Sequence, residues 1–132
     1  MAQSDVRNLN TVLSGISEHW SPRTIAVVND YDVRVVKVRG EFARHSHPET
    51  DEFFLVLAGE LVLELEGRAA VRLGSLQLIT VPAGQRHRPT ATPGTRVLFI
   101  EPHGTLNSGD ADLSEDPWVP LTTGVVLDDG AA

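Results

Sequence analysis

The chain has no cysteine. Disulfides, thiolate zinc sites, iron–sulfur clusters and cysteine nucleophiles are therefore excluded. Any metal must be held by nitrogen and oxygen donors. A reducing cytoplasm suits this composition, and a cytoplasmic location is expected. No apolar run approaches the length that spans a bilayer. Met1-Ala2-Gln3-Ser4-Asp5 has no basic stretch followed by an apolar one, so no secretory signal is expected. Basic residues are scarce: 11 against 18 acidic ones give a formal charge of −7. Such a surface repels phosphate backbones and anionic lipid, which argues against nucleic acid or a membrane as partner. Gly-x-Ser-x-Gly, P-loop and Gly-x-Gly-x-x-Gly signatures are missing. Ser75 follows Gly74 without a strand–elbow–helix context and reads as a turn residue. There is no internal repeat, no low-complexity segment and no helix-turn-helix pattern.

What is present fits one domain of 132 residues, with 41% hydrophobic and 22% charged residues. Residues 1–23 form an N-terminal helical segment, in which Val6, Leu9, Val12, Leu13 and Ile16 recur at helical spacing. Asp5 is the expected N-cap, Gly15 weakens the end, and Ser21-Pro22 closes the segment. The expectation is an amphipathic helix on the outside of a barrel, ahead of a lid or dimer contact. Trp20 reads as core or interface, and His19 has no assigned role.

From residue 24 the pattern turns to short strands. Thr24–Asn29, Asp32–Arg39, Glu52–Leu57, Glu60–Glu66, Ala69–Leu73, Leu76–Val81, Arg86–Ala91 and Thr95–Glu101 are expected, with turns at Asn29-Asp30, Ala58-Gly59, Gly67-Arg68, Pro82-Ala83-Gly84 and Thr92-Pro93-Gly94. Leu61, Leu63 and Leu65 alternate with Glu60, Glu64 and Glu66, as on a half-buried antiparallel strand. Eight short strands at near-even spacing, without room for crossover helices, indicate a mostly antiparallel all-β sandwich or barrel over residues 24–101. Residues 102–132 form an irregular tail. Its segment Gly104–Asp116 should wrap the surface, Trp118, Val119 and Leu121 should dock it, and Asp128–Ala132 should fray.

His45-Ser46-His47 places two imidazoles on one side of an extended segment. Glu52 opens the next strand and can aim its carboxylate at the same point. His87 follows the rigid turn at Pro82-Ala83-Gly84. Arg86 and Arg88 flank it and must point the other way, so His87 faces inward and needs a partner. A metal shared by these side chains would supply one. Taken singly, each has a plain alternative: an exposed His-x-His pair, an ordinary glutamate, a satisfied core histidine. Together they are far more specific.

Gly40-x4-His45-x-His47-x4-Glu52-x6-Gly59 resembles the first motif of the cupins, and Pro82-x-Gly84-x-x-His87 resembles the second. The likeness covers roughly residues 24–101. It implies an antiparallel double-stranded β-helix, the jelly-roll barrel, with His45, His47, Glu52 and His87 as ligands of one divalent transition metal ion, and it implies a homodimer. Ser17–Pro22, Asp51–Leu57 and Ile100-Glu101-Pro102 resemble small single-barrel cupins grouped as mannose-6-phosphate-isomerase-like, a label that follows the barrel and not an activity. The chain departs from the second motif twice. Leu76 stands where a glycine is usual, so the turn there should be rearranged, and Ala91 stands where an asparagine is frequent. Neither position is a ligand.

Three imidazoles and a carboxylate suit Fe, Mn, Ni, Co, Cu or Zn, and leave up to two coordination positions open. The expected function is a metal-dependent enzyme on a small oxygenated organic substrate. An oxygenase ranks first, an isomerase, epimerase or cyclase second, and a lyase or decarboxylase third. The alternative is a non-catalytic module that binds or senses a small molecule. Glu52 is also weighed as a catalytic base. Phe42, Phe54, Val56 and Phe99 are expected to wall the pocket. Glu49 and Asp51 read as solvated loop carboxylates, and Tyr31 and His103 have no settled role.

Overall fold

Alternation along three strands sets the layers. The computed structural model describes residues 5–106 and 108–111, and the backbone of 125–126. In β2 (Tyr31–Glu41), β3 (Glu52–Ala58) and β7 (His87–Pro102), every second side chain turns into the barrel over most of the length. The other strands are β1 (Arg23–Val28), β4 (Leu61–Leu65), β5 (Val71–Leu73), β6 (Leu78–Val81) and β8 (Val125–Val126). Their order is β5-β4-β7-β2-β1-β8, with β3 on β7 and β6 on β3. The pairs are antiparallel except β1 with β8. The fold is an all-β cupin-type jelly roll with a short N-terminal helix.

Strand β7 organises this roll. Its first part, His87–Ala91, pairs with β4, and its later part, Arg96–Ile100, pairs with β3. Strand β2 lies along its other edge over both parts. The expected turn at Thr92-Pro93-Gly94 does not divide two strands. It is an exposed bend within one, with Gly94 at φ +83°. The bend is anchored beside Gly59, where the chain leaves β3 for β4. Thr95 Oγ1 accepts the Glu60 amide at 3.0 Å. A Cβ on Gly59 would stand 2.6 Å from the Thr95 Cα.

The interior core includes Val36, Val56, Leu63, Val81 and Val97. A second cluster lies on the outer face, where α1 (Leu9–Ser14) packs Val12 and Leu13, followed by Ile16, onto Ile25 and Val35. The helix is shorter than the periodicity suggests. Asn8, not Asp5, is its N-cap, with its side chain accepting from the Thr11 amide at 3.1 Å. Gly15 ends it, well before Ser21-Pro22. Val6 is 96% exposed, so the apolar spacing there meets no surface.

Two further expectations change. His45-Ser46-His47 is not a strand: only His45 forms a bridge, to His87. The tail, expected to be irregular, contributes β8, which pairs in parallel with Arg23 and Thr24 of β1. The expected docking by Trp118, Val119 and Leu121 and the fraying of Asp128–Ala132 lie outside the described residues. Among the described residues, no helix is long and apolar enough to cross a membrane.

The turn before β6 carries leucine where a glycine is usual. Leu76 itself adopts φ +67°, while the Gln77 amide bonds to the Gly74 carbonyl at 3.1 Å. A left-handed leucine costs about 1–2 kcal/mol, and this side chain is 76% exposed, so little burial offsets it. Leu76→Gly is therefore expected to raise stability by up to about 1 kcal/mol, since the entropy of glycine takes back part of the gain. Gly59→Ala, which adds a Cβ at φ +85° against the Thr95 backbone, is expected to lose more than about 2 kcal/mol. Urea unfolding of both variants checks the pair; a destabilised Leu76→Gly would refute the strain argument.

Candidate metal centre

The site begins with a loop that is fastened along its backbone. The His45 amide bonds to the His87 carbonyl at 2.9 Å, and the His87 amide to the His45 carbonyl at 2.8 Å. The His47 carbonyl accepts from the Gly84 amide at 3.0 Å, which ties the loop to the Pro82-Ala83-Gly84 turn. Between the two histidines, the Ser46 amide and hydroxyl both donate to the Asp110 carboxylate. The Ser46 carbonyl accepts from the Asp110 amide at 3.1 Å.

Four side chains converge from this loop, from the start of β3 and from the start of β7. His45, His47, Glu52 and His87 are all buried, and each offers a donor atom within 4.8 Å of the others. His45 Nδ1 meets the Ala43 carbonyl at 2.8 Å, and His87 Nδ1 meets the Gln85 carbonyl at 2.9 Å. Those contacts fix both rings and leave Nε2 to point inward. Glu52 lies 3.2 Å from His47 Nε2 and 3.4 Å from His87 Nε2. These approaches are poorly aligned, so His47 Nε2, His87 Nε2 and Glu52 Oε1 are buried without a hydrogen-bond partner. Buried polar atoms are rarely left this way unless something is to occupy the space between them. The donor set fits a divalent transition metal with nitrogen and oxygen preference.

Electrostatics agree with ligand duty. Burial pushes the His45 imidazole down to about 4, reinforced by the His87 ring and partly opposed by Glu52. A metal ligand must be neutral imidazole, and this environment keeps it so. Burial opposes ionisation of Glu52, but the two imidazoles beside it outweigh that and hold its carboxyl well below the usual range.

Sequence reasoning missed the side chains behind Glu52. Glu101 is opposite Asp32 in the β2–β7 register, one step along from the Phe53–Ile100 pair that joins β3 to β7. Arg34, 1% exposed, bonds Glu101 at 2.7 Å and Asp32 at 2.9 Å. Burial and the neighbouring Glu52 charge raise Glu101 well above the ordinary carboxyl range, against the pull of Arg34. Arg34 thus bridges two buried carboxyls, Asp32 and Glu101. The Asp32-x-Arg34 spacing within an apolar strand was the readable signal. Nothing in the sequence pointed to Asp110.

Beside the donors lies a small, largely apolar cavity that opens to solvent. Phe42, Phe54 and Phe99 line it, with Trp20 from the segment after α1. Val56 does not: it is fully buried in the core beneath. Trp20 stacks on Phe42, with ring centroids 4.7 Å apart. His103, 72% exposed, bonds Asp32 at 3.0 Å outside the cavity. Tyr31, Glu49 and Asp51 border a separate outer groove, and Asp51 also accepts from the Ala83 amide at 2.9 Å. His19 does not line the cavity. Arg86 and Arg88 turn outward to Glu66 and Glu41.

Two predictions follow from these contacts. His45 has a folded pKa below its unfolded value of about 6.5, so its contribution to stability is present above pH 6.5 and is lost as pH falls toward 4. Metal-free protein should lose about 3 kcal/mol over that window, and His45→Gln should flatten the dependence. Denaturant unfolding at several pH values measures this; an equal slope in the variant would refute it. Asp110→Ala frees the Ser46 backbone between two ligands and should weaken metal affinity about 10-fold, at the lower end for loss of an outer support. A competition titration against a chelator reads that change, and unaltered affinity would remove Asp110 from the site.

The cupin-domain family model matches residues 33–101. The uncharacterized protein YdbB of Bacillus subtilis (strain 168) is 32% identical over 98 residues, covering 74% of this chain and 87% of YdbB. The crystal structure of a cupin-2 domain containing protein from Shewanella frigidimarina NCIMB 400 is similar at 39% identity and TM-score 0.71, over 74% of this chain and 94% of that one. Hydroquinone 1,2-dioxygenase from Sphingomonas sp. TTNP3, solved with 4-hydroxybenzoate bound, shares the fold at 22% identity and TM-score 0.68, over 90% of this chain and 37% of that one. With the motif histidines and glutamate gathered inside a jelly roll and the family model spanning most of that roll, this chain belongs to the cupins.

Proposed function

We propose that the protein is a metal-dependent enzyme acting on a small oxygenated organic molecule, with oxygenase chemistry as the first reading. One observation carries it: His45, His47, Glu52 and His87 form one buried group, with unsatisfied atoms on the last three, and His45 and Glu52 of that group line a cavity open to solvent. One divalent ion of the Fe, Mn, Ni, Co, Cu or Zn class would be held by these four residues. It would supply Lewis acidity or access to oxygen chemistry at its open positions. The residues of the chain then have defined tasks. Ala43 and Gln85 carbonyls orient two imidazoles, and the apolar walls exclude water. Glu52, held ionised, serves as ligand first; its low pKa makes it a weak proton acceptor.

The ranking follows from what lines the cavity. Its polar residues are His45 and Glu52, both in the ligand set. Isomerases and lyases need a separate acid or base within reach of the substrate, and the described lining offers none. Oxygen chemistry makes less demand of that kind. The missing acid–base group also favours the second reading, a non-catalytic binding or sensing cupin. The homodimer and the cytoplasmic location remain part of the proposal; exposed Val28 and Tyr31 at the β1–β2 turn support the first.

Untagged protein should carry close to one transition metal per chain by elemental analysis. His47→Ala and His87→Ala should each reduce occupancy at least about 10-fold. Substrate-dependent oxygen uptake by the iron-loaded protein supports the oxygenase. Zinc with no uptake would remove that ranking, and full occupancy in both variants would refute the ligand set. Light scattering of the same samples should give twice the chain mass; one chain mass would refute the dimer.

A further inference from the structure

We propose that the cavity takes a flat, largely apolar molecule that presents one oxygen-bearing edge to the metal site, and that it excludes phosphorylated sugars. This rests on the metal-site reading above and adds the ligand class.

The walls argue for a flat ring. Phe42 stacks under Trp20 at an interplanar angle of 26° and meets the His45 ring edge-on at 5.6 Å. Phe54 meets the His87 ring edge-on at 6.1 Å, and Phe99 is its neighbour in the β3–β7 register. Four aromatic side chains thus line the cavity, two of them in ring contact with histidines of the candidate ligand group, and such walls suit a planar body whose polar edge reaches the donors. Aliphatic side chains of β2, β4 and β7 fill the rest of the lining.

Charge argues against a sugar phosphate. Apart from His45 and Glu52, the lining has no polar side chain to pair with a row of hydroxyls, and hydroxyls buried without partners oppose binding. No side-chain cation lines the cavity to pair with a phosphate dianion beside the metal. Arg34 is spent on Asp32, Glu101 and the Thr105 carbonyl. Arg44, Arg86 and Arg88 pair outward with Glu64, Glu66 and Glu41. Lys37 donates to the Ile16 carbonyl. None of these five lines the cavity.

Trp20 shows that the wall is built in advance. It sits at φ +60°, a conformation that bulky residues rarely adopt. Two bonds hold it there: its amide to the Lys37 carbonyl at 2.8 Å, and its indole Nε1 to the Arg39 carbonyl at 2.9 Å. Such strain persists only where the surroundings impose it, and it clusters at binding sites. Trp20 is therefore assigned as a specificity-determining residue.

The test uses the full chain, loaded with redox-inert zinc and assayed for zinc content first. Calorimetric titrations with 4-methylcatechol and with mannose 6-phosphate are run on zinc-loaded and metal-free protein. The zinc form should bind 4-methylcatechol at least tenfold more tightly than mannose 6-phosphate. Trp20→Ala should weaken 4-methylcatechol at least fivefold at unchanged zinc content, and Trp20→Phe should restore part of the loss. Equal or tighter binding of mannose 6-phosphate overturns the ligand class, and an unchanged Trp20→Ala overturns the role of Trp20. If no zinc is taken up, the metal reading fails separately. The metal-free titrations then decide the ligand class, and no preference for 4-methylcatechol overturns it. Should Trp20→Ala not fold, the preference of the parent protein decides alone.

Discussion

The paired backbone hydrogen bonds between His45 and His87 are the contact on which the site depends. They join a loop without regular structure to the first residue of the longest strand. An irregular loop holds a side chain poorly unless its own backbone groups are used up. Here the bonds run through His45, Ser46 and His47, to β7, to Asp110 and to Gly84. Two imidazoles are thereby placed by a segment that is neither strand nor helix. The Nδ1 contacts to carbonyls settle which nitrogen is offered. Position and tautomer come from separate sets of bonds, so an altered ring contact need not move the loop.

Behind Glu52 the barrel buries a costly group of charges. Arg34, Asp32 and Glu101 are almost inaccessible to water. Taking such groups from water costs several kcal/mol each unless they are closely paired. The arrangement limits that cost: one guanidinium meets Asp32, Glu101 and a backbone carbonyl, while burial and the Glu52 charge disfavour ionisation of Glu101. A well-packed apolar replacement would serve stability as well or better. What the polar row adds is position. It fills the space behind Glu52 with groups that have fixed bonds, next to the Phe99–Phe54 pair and the apolar row Val36–Val97–Val56 of the same registers. The interior thus changes from charged to apolar along the strands, and the donor group lies near the junction.

Much of this was legible in the chain, because period-two alternation and turn residues report directly on a barrel. Leu61, Leu63 and Leu65 are buried as their spacing requires. Glu52 opens β3 with Phe54 and Val56 on its face. His87 is turned inward by the outward Arg86 and Arg88. The errors have physical causes. The 3.6-residue pattern around Val6 was real but met no partner surface, and Asn8 supplied the better cap. Pro93-Gly94 reads as a chain reversal, yet a long strand can absorb such a pair as a bend when both sides find partners. At Leu76 the turn's hydrogen bonds hold a leucine at positive φ, which no sequence pattern announces. Asp110 and Glu101 act at long range in sequence, and no local pattern carries that information.

The bend in β7 also sets the distance on which the site's chemistry turns. Glu52 belongs to β3, which pairs with β7 after Gly94. His87 belongs to the part before Thr92, paired with β4. Two ligands 3.4 Å apart at their donor atoms are therefore carried by opposite sides of one flexure. Its angle is held by the Thr95 hydroxyl on Glu60 and by the contact of Gly59 with the Thr95 backbone. Neither residue lines the cavity. A side chain at Gly59 would press on the Thr95 backbone and strain this bend, and with it the spacing of His87 and Glu52. Glycine in the first cupin motif then has a geometric reason in this chain: it lets β3 turn into β4 against the Thr95 backbone, beside the strand that carries His87 of the candidate metal-binding group.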